Sequence, residues 1–499
     1  MKNTFLDART MFMGVAFASF LFVGCGGGGG SAETTTSEEN TTTEQPPVVK
    51  TDFKYNRISI AGSSITHGQS EGYLGEGSYV GAVEKYFREE VADTAGPDNL
   101  RGEDRSYNDP MSYQGIIKVY NAGKILSGTL EASDEISIVY AGSPVKTVVE
   151  LEVDGKVYPT YEIPVGTYSP AKKTFDDTNN QEVQNFYYSF RETNERAVYT
   201  WKLDSYKVHS FKLKVVQGEL HLNFITNHMY YMQNAGDSGF QALDFLSTGR
   251  THSTIADVIA FDPDLFVFES STNDAQTWKN ELLGKDSTNH WIVEDPVDFT
   301  TSGNTITLAQ TVSVQKGDVV IMGEYNGDIQ NMAVGIIAND STGNTITLSK
   351  VVTYTDRRIH EYSTVPSTIV KKCRIKNIAL WESRVKEVIA KLKNGLNHPV
   401  KIAIGTSGVP NYYYPYSQEL PHVDGIADDT NSPRRLLGYR EKGEMMAQEN
   451  GWEFVDFFKY ILRVVPGVDI NRQWSIGDNT HPNELGRPVF GQAVIDVVK

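Results

Sequence analysis

Arg57-Ile58-Ser59-Ile60-Ala61-Gly62 is a short β-type run that stops at a glycine, and Ser63-Ser64-Ile65-Thr66 follows it at once. A helix-period segment occupies residues 79–92, so the chain begins its ordered part as β then α. Runs of the same kind return at Asp264-Leu265-Phe266-Val267-Phe268, Val400-Lys401-Ile402-Ala403-Ile404 and Trp452-Glu453-Phe454-Val455-Asp456. Helical patterns accompany them over 381–393, 434–448 and 484–498. Strands that alternate with helices predict a parallel sheet covered on both faces. A serine at the end of the first strand then sits at the carboxyl edge of that sheet, where the active sites of open α/β folds collect.

Two stretches carry a different period. Glu135-Ile136-Ser137-Ile138-Val139-Tyr140 and Val148-Val149-Glu150-Leu151-Glu152-Val153 alternate apolar and polar residues, turn at Asp154-Gly155, and the alternation returns at Ser210-Phe211-Lys212-Leu213-Lys214-Val215. Residues 105–230 therefore read as an inserted β-sandwich. Farther on, Ser302-Gly303-Asn304-Thr305-Ile306-Thr307-Leu308 recurs as Thr342-Gly343-Asn344-Thr345-Ile346-Thr347-Leu348, and a small β-barrel of two similar halves is expected over 292–365. The α/β core is left with 51–104, 231–291 and 366–499.

The chain has 499 residues, enough for several compact units, and its composition of 39% hydrophobic and 22% charged residues is that of ordinary globular domains. A formal net charge of −17 with no dense Lys/Arg run excludes nucleic acid as a partner. There are two cysteines, Cys25 and Cys373. Lys2 and Arg9 precede an apolar stretch too short to span a bilayer, so 1–24 reads as a signal peptide. It ends Leu21-Phe22-Val23-Gly24-Cys25, which resembles the bacterial lipobox and implies lipidation at Cys25. Residues 25–50, with five glycines and then Ser, Thr, Glu and Pro, read as a disordered tether. Gly26 in place of an acidic residue points to the outer membrane or cell surface, with the lipid anchor as the sole membrane contact. Cys373 is read as structural.

Serine is a weak nucleophile at neutral pH and needs a base. Near the other end, Asp478-Asn479-Thr480-His481-Pro482-Asn483 places an Asp three residues before a His, a spacing that lets a carboxylate hold the imidazole in one tautomer. Between them lies Thr272-Asn273-Asp274, directly after a strand. A glycine block comes earlier still, either Asn121-Ala122-Gly123 with Ser127-Gly128 or Asn234-Ala235-Gly236-Asp237-Ser238-Gly239. In this order the blocks resemble the SGNH (GDSL-like) hydrolase family, whose members carry Gly-Asp-Ser, then a Gly and an Asn, then Asp-x-x-His. The resemblance implies a three-layer α/β/α, flavodoxin-like core, here interrupted by two all-β modules. It implies Ser64 as nucleophile, His481 as base, Asp478 as the residue that orients it, and an oxyanion hole made by the Ser64 and Gly239 N–H groups and the Asn273 side chain. Gly239 is chosen over Gly128 because its spacing is unbroken and it leads into the strand before Asn273. The chain departs from the family at Ser63, where the motif has Asp, and at Ser271, where it has Gly; both bear on loop conformation.

The chemistry so implied needs no cofactor and no metal. Surface SGNH proteins with added β modules resemble enzymes that remove O-acyl groups, most often acetyl, from polysaccharides, so an acylated polysaccharide or another small ester is the expected substrate. Loops rich in Tyr, Asn, Ser and Asp, such as Asn411-Tyr412-Tyr413-Tyr414-Pro415-Tyr416, favour a glycan over a long acyl chain. A lipase, lysophospholipase or thioesterase on the same scaffold, or a surface glycan-binding protein with a weak site, stays open at this point. His67, beside the serine turn, reads as either a pocket residue or a packed one.

Overall fold

The computed structural model describes residues 53–499 apart from 69–77, 109–112, 164, 166–195, 238, 248–253, 276–287, 289, 325–330, 356–357, 408–435 and 464–480. Strand β1 (Arg57–Gly62) is buried beyond its first residue and runs straight into the one-turn helix α1 (Ser64–His67). Helix α2 (Tyr79–Tyr86) follows, its end widened into a π turn over Phe87–Val91.

The next nine strands make one antiparallel sheet: β2 (Thr94–Ala95), β3 (Arg105–Asn108), β4 (Ile116–Asn121), β5 (Ile125–Ala141), β6 (Thr147–Val153), β7 (Lys156–Val157), β8 (Tyr161–Ile163), β9 (Arg196–Gln217) and β10 (Glu219–Thr226). Asp154 and Gly155, both at positive φ, form the corner between β6 and β7, as the sequence predicts. The expected pair of separate sheets is not what forms. Strands β5 and β9 run unbroken through the whole unit and slip register between Leu130 and Glu135, where bulges bend them. Apolar residues of β4, β5, β6, β8, β9 and β10 share one core. The sheet also starts before residue 105, since β2 pairs with β10; a strand of two residues is too short to display a period.

Strand β11 (Tyr231–Gly236), the short helices α3 (Ala242–Phe245) and α4 (Ile255–Phe261), and β12 (Leu265–Ser270) come next. A second all-β unit comprises β13 (His290–Ser302), β14 (Thr305–Val314), β15 (Val319–Met322), β16 (Ala333–Ile337), β17 (Ser341–Thr353), β18 (His360–Tyr362) and β19 (Lys372–Asn377). Six strands close a ring in the order β14-β13-β19-β15-β16-β17 and back to β14, with β18 on the outside of β17. The two sequence repeats are the seam: Thr305, Ile306 and Thr307 pair antiparallel with Thr347, Ile346 and Thr345. The barrel extends past the expected boundary at 365, because β19 lies between β13 and β15 with Cys373 and Ile375 in the barrel core. That strand belongs to neither repeat, so the duplication did not announce it.

The chain ends with α5 (Ala379–Gly395), β20 (Lys401–Thr406), α6 (Tyr439–Asn450), β21 (Glu453–Val455), α7 (Phe457–Arg463) and α8 (Gly486–Val498). Strands β11, β1, β12, β20 and β21 form a fully parallel sheet in that spatial order, which by appearance is second, first, third, fourth, fifth. Successive residues of β12 serve opposite faces. Phe266 and Phe268 pack with α3, α4, α5 and α6, whereas Leu265 and Val267 pack with α2, α7 and α8. Buried on both faces, β1, β12 and β20 read as near-continuous apolar runs, whereas β11 buries the polar Gln233 and Asn234. The winding reverses at β1, whose neighbours are β11 and β12, and ligands of such sheets bind at the carboxyl ends beside that switch point.

The barrel is fixed to this core by the same alternation. Val320 and Met322 of β15 point into the barrel, while Val319 and Ile321 join the cluster of Trp381 on α5 and Tyr439 on α6. Gly438, at φ +95°, permits the approach, since a Cβ there would stand 2.4 Å from Val319.

Candidate active site

Gly62 ends β1 because nothing larger fits: a Cβ would lie 2.2 Å from Thr66 Oγ1 and 2.4 Å from Glu269 Oε2. Ser63 caps α1, its Oγ accepting the Ile65 N–H at 3.3 Å, and Gly68 closes that single turn at φ +82° with its N–H on the Ser64 carbonyl. Ser64 thus stands at the first position of α1, mostly buried, at the carboxyl edge of the parallel sheet. His481 arrives from the opposite end of the chain. Its Nε2 lies 2.7 Å from Ser64 Oγ, a hydrogen bond between residues 417 positions apart. The turn after it is held by Asn483, whose Oδ1 accepts the N–H groups of Leu485 and Gly486 and so leads the chain into α8.

The later glycine block joins the same edge. The Asp237 N–H bonds the Gly62 carbonyl at 3.0 Å, and Asn234 Nδ2 donates to the Thr66 carbonyl. A Cβ on Gly236 would meet His67 N at 2.5 Å. Gly239 adopts φ +72° immediately before Phe240, and Asn273 Nδ2 donates to the Phe240 carbonyl at 3.0 Å while Gln241 Nε2 donates to the Asn273 carbonyl. Asp274 accepts the Ala242 N–H and is wholly buried. Burial pushes its carboxyl up to about 7, against the opposing pull of the Ala242 bond and the Arg384 charge. Gly128, by contrast, sits in β5 opposite Phe211 of the antiparallel sheet. His67 stands 16% exposed with Nδ1 4.0 Å from an Asp237 oxygen.

Ser64, His481, Asn273 and Gly239 are therefore placed at one sheet edge or in the loops bonded to it. Asp478, Cys25 and the tyrosine-rich loop at 411–416 lie outside the described residues. Among the described residues no group of three or more His, Cys, Asp or Glu is arranged to hold a metal ion.

No family model matches the chain, and no curated protein matches its sequence. Among solved structures it is similar to a peptidoglycan O-acetylesterase, at 13% identity over 88% of this chain and 89% of that one, with a TM-score of 0.30. It is also similar to an acetylxylan esterase from Geobacillus stearothermophilus, at 12% identity over 54% and 73% of the two chains with a TM-score of 0.26. A GDSL-like lipase from Bacteroides thetaiotaomicron matches at 15% identity over 54% and 74%, with a TM-score of 0.24. At these identities and TM-scores the neighbours assign no role to any residue, and the site rests on the geometry above.

One residue at the site escaped the sequence. Glu269, the fifth residue of β12, is fully buried and bonds Ser63, Thr66 and Ser407. A charged residue at the end of an apolar run reads as the exit of a strand toward solvent, and its partners come from separate segments. The departure at Ser271 is also explained: its φ is +118°, a value that favours glycine, so the loop keeps the glycine-type conformation with a serine in it.

Proposed function

We propose that the chain is a serine ester hydrolase of SGNH type, on a three-layer α/β/α core, that removes O-acyl groups, foremost acetyl, from a carbohydrate. The observation that carries the reading is the Ser64 Oγ to His481 Nε2 hydrogen bond of 2.7 Å, a nucleophile and base brought together from the two ends of the fold. In this reading neutral His481 takes the Ser64 proton as Oγ attacks the ester carbonyl. The tetrahedral oxyanion is held by the N–H groups of Ser64 and Gly239 and by Asn273, whose amide spends one N–H on Phe240 and keeps the other. His481 then protonates the leaving alcohol, and water, deprotonated by the same imidazole, releases the acid. Asp478 would keep the proton of His481 on Nδ1.

Carbohydrate is favoured because His67, in the serine turn, and Asp237, bonded to the residue that opens it, are polar where a long-acyl groove would be apolar. The segments at 1–24 and 25–50 fit a chain anchored to the cell envelope through lipidated Cys25, with an acylated polysaccharide as partner. Hydrolysis of acetyl against long-acyl esters of a chromogenic alcohol, together with acetate release from acetylated polysaccharides, tests the reading. Acetyl preference is expected, with turnover lost in Ser64→Ala and kcat lowered about 10²–10³-fold in Asn273→Ala. An inert wild type, or turnover retained by Ser64→Ala, would refute it.

A further inference from the structure

Four donors converge on the buried Glu269 carboxylate. Oε2 accepts the Ser63 N–H at 2.8 Å, Ser63 Oγ at 2.9 Å and Thr66 Oγ1 at 2.9 Å, and Oε1 accepts Ser407 Oγ. A carboxylate offers about four lone-pair sites, enough to receive all four donors at once.

Those bonds set the direction of the surrounding hydroxyls, each of which has a single proton to give. Thr66 Oγ1 donates to Glu269 and so receives the Tyr79 hydroxyl at 2.9 Å. Ser407 does likewise and receives the Thr272 hydroxyl at 2.9 Å. Ser63 Oγ receives the Ile65 N–H. The Tyr79 phenol is held well above its ordinary range, by burial first and by the Glu269 charge second. The network spans the turn after β1, the loop after β12 and the residue after β20.

We propose that Glu269 is a positioning residue for Ser64: it clamps the turn on both sides of the nucleophile, at Ser63 and Thr66, and ties it to the strand whose end carries Asn273. The inference rests on the reading of Ser64 as nucleophile. Its force comes from geometry, since a displacement of an ångström at a reacting atom costs about 10²-fold in rate.

Glu269→Gln keeps the volume and presents an amide NH₂ to at least one of the four donors. Wild type, Ser64→Ala and Glu269→Gln are assayed on a chromogenic acetyl ester, with active sites titrated by a serine-directed phosphonate and folding followed by thermal melts. The expected result is a folded Glu269→Gln with kcat per titrated site lowered on the order of 10²-fold and KM unchanged. A variant with a lower melting temperature but normal kcat per titrated site would show that the residue merely stabilises the fold and would overturn the inference. Should Glu269→Gln not fold, Ser63→Ala and Ser407→Ala each delete one hydroxyl donor; about tenfold lower kcat per site is expected, the effect of one hydrogen bond, and unchanged kcat in both overturns the proposal. A wild type without turnover overturns the proposed function and this inference together, whereas an active wild type equalled by Glu269→Gln overturns the inference alone.

Discussion

Ser271 holds a backbone angle that a side chain resists, and it does so two residues before Asn273. Positive φ of this kind costs a non-glycine residue roughly 1–3 kcal/mol, while glycine adds up to about 1 kcal/mol of unfolded-state entropy. Ser271→Gly is therefore expected to gain about 1 kcal/mol of stability in denaturant titrations. Asp274 supplies the pH dependence. Its carboxyl, raised to about 7, stays protonated in the folded chain at pH values where the unfolded chain has already released the proton. Stability from this group is thus present at low pH and declines as pH rises from about 4 to about 7, by on the order of 4 kcal/mol at most. Asp274→Asn, neutral throughout, should remove that slope, and urea midpoints measured between pH 5 and 8 check it. At this scale the pairing of Ser64 with His481 was legible, because each belongs to a short block beside a strand or helix signal. Glu269 was not, since its meaning lies in hydroxyls that only the fold brings to it.

Elements repeat the pattern. Four of the five parallel strands, β1, β12, β20 and β21, announced themselves as apolar runs, and β5, β6 and β9 of the first β unit by their period. What escaped was β11, whose Gln233 and Asn234 break the apolar run, β2, too short for a period, and the placement of β19 in the barrel. The barrel repeats were legible as similar segments, and their pairing with each other, Ile306 against Ile346, is what a duplicated β unit closes on. The turn before α8 presents the proposed base, and Asn483 orders the residues directly after His481. Asn483→Ala should lower stability by about 1 kcal/mol, the usual cost of losing such a cap. It should also lower kcat by more than KM changes, as the imidazole loses its fixed approach to Ser64; thermal melts and steady-state kinetics on an acetyl ester test the two halves separately.

At the scale of the whole molecule the barrel is no appended module. Val319, Ile321, Val334, Ile336, Val352 and Tyr354 share an apolar cluster with Trp381 and Tyr439, and Tyr354 donates a buried hydrogen bond to Glu441. Re-exposing a buried apolar side chain costs roughly 1.5–3 kcal/mol, so uncovering a face of this size costs as much as the usual stability margin of about 5–15 kcal/mol. Excision of residues 290–377 is expected to give an insoluble or dye-binding chain with no turnover, and a soluble, active remnant would disprove the shared core. The Ser64–His481 bond also has a meaning in time. Residue 64 leaves the ribosome 417 residues ahead of residue 481, so the nascent serine has to wait for its proposed base. In this reading the hydrolase is silent until the segment of His481 and α8 docks on the sheet edge, and that docking is what arms it.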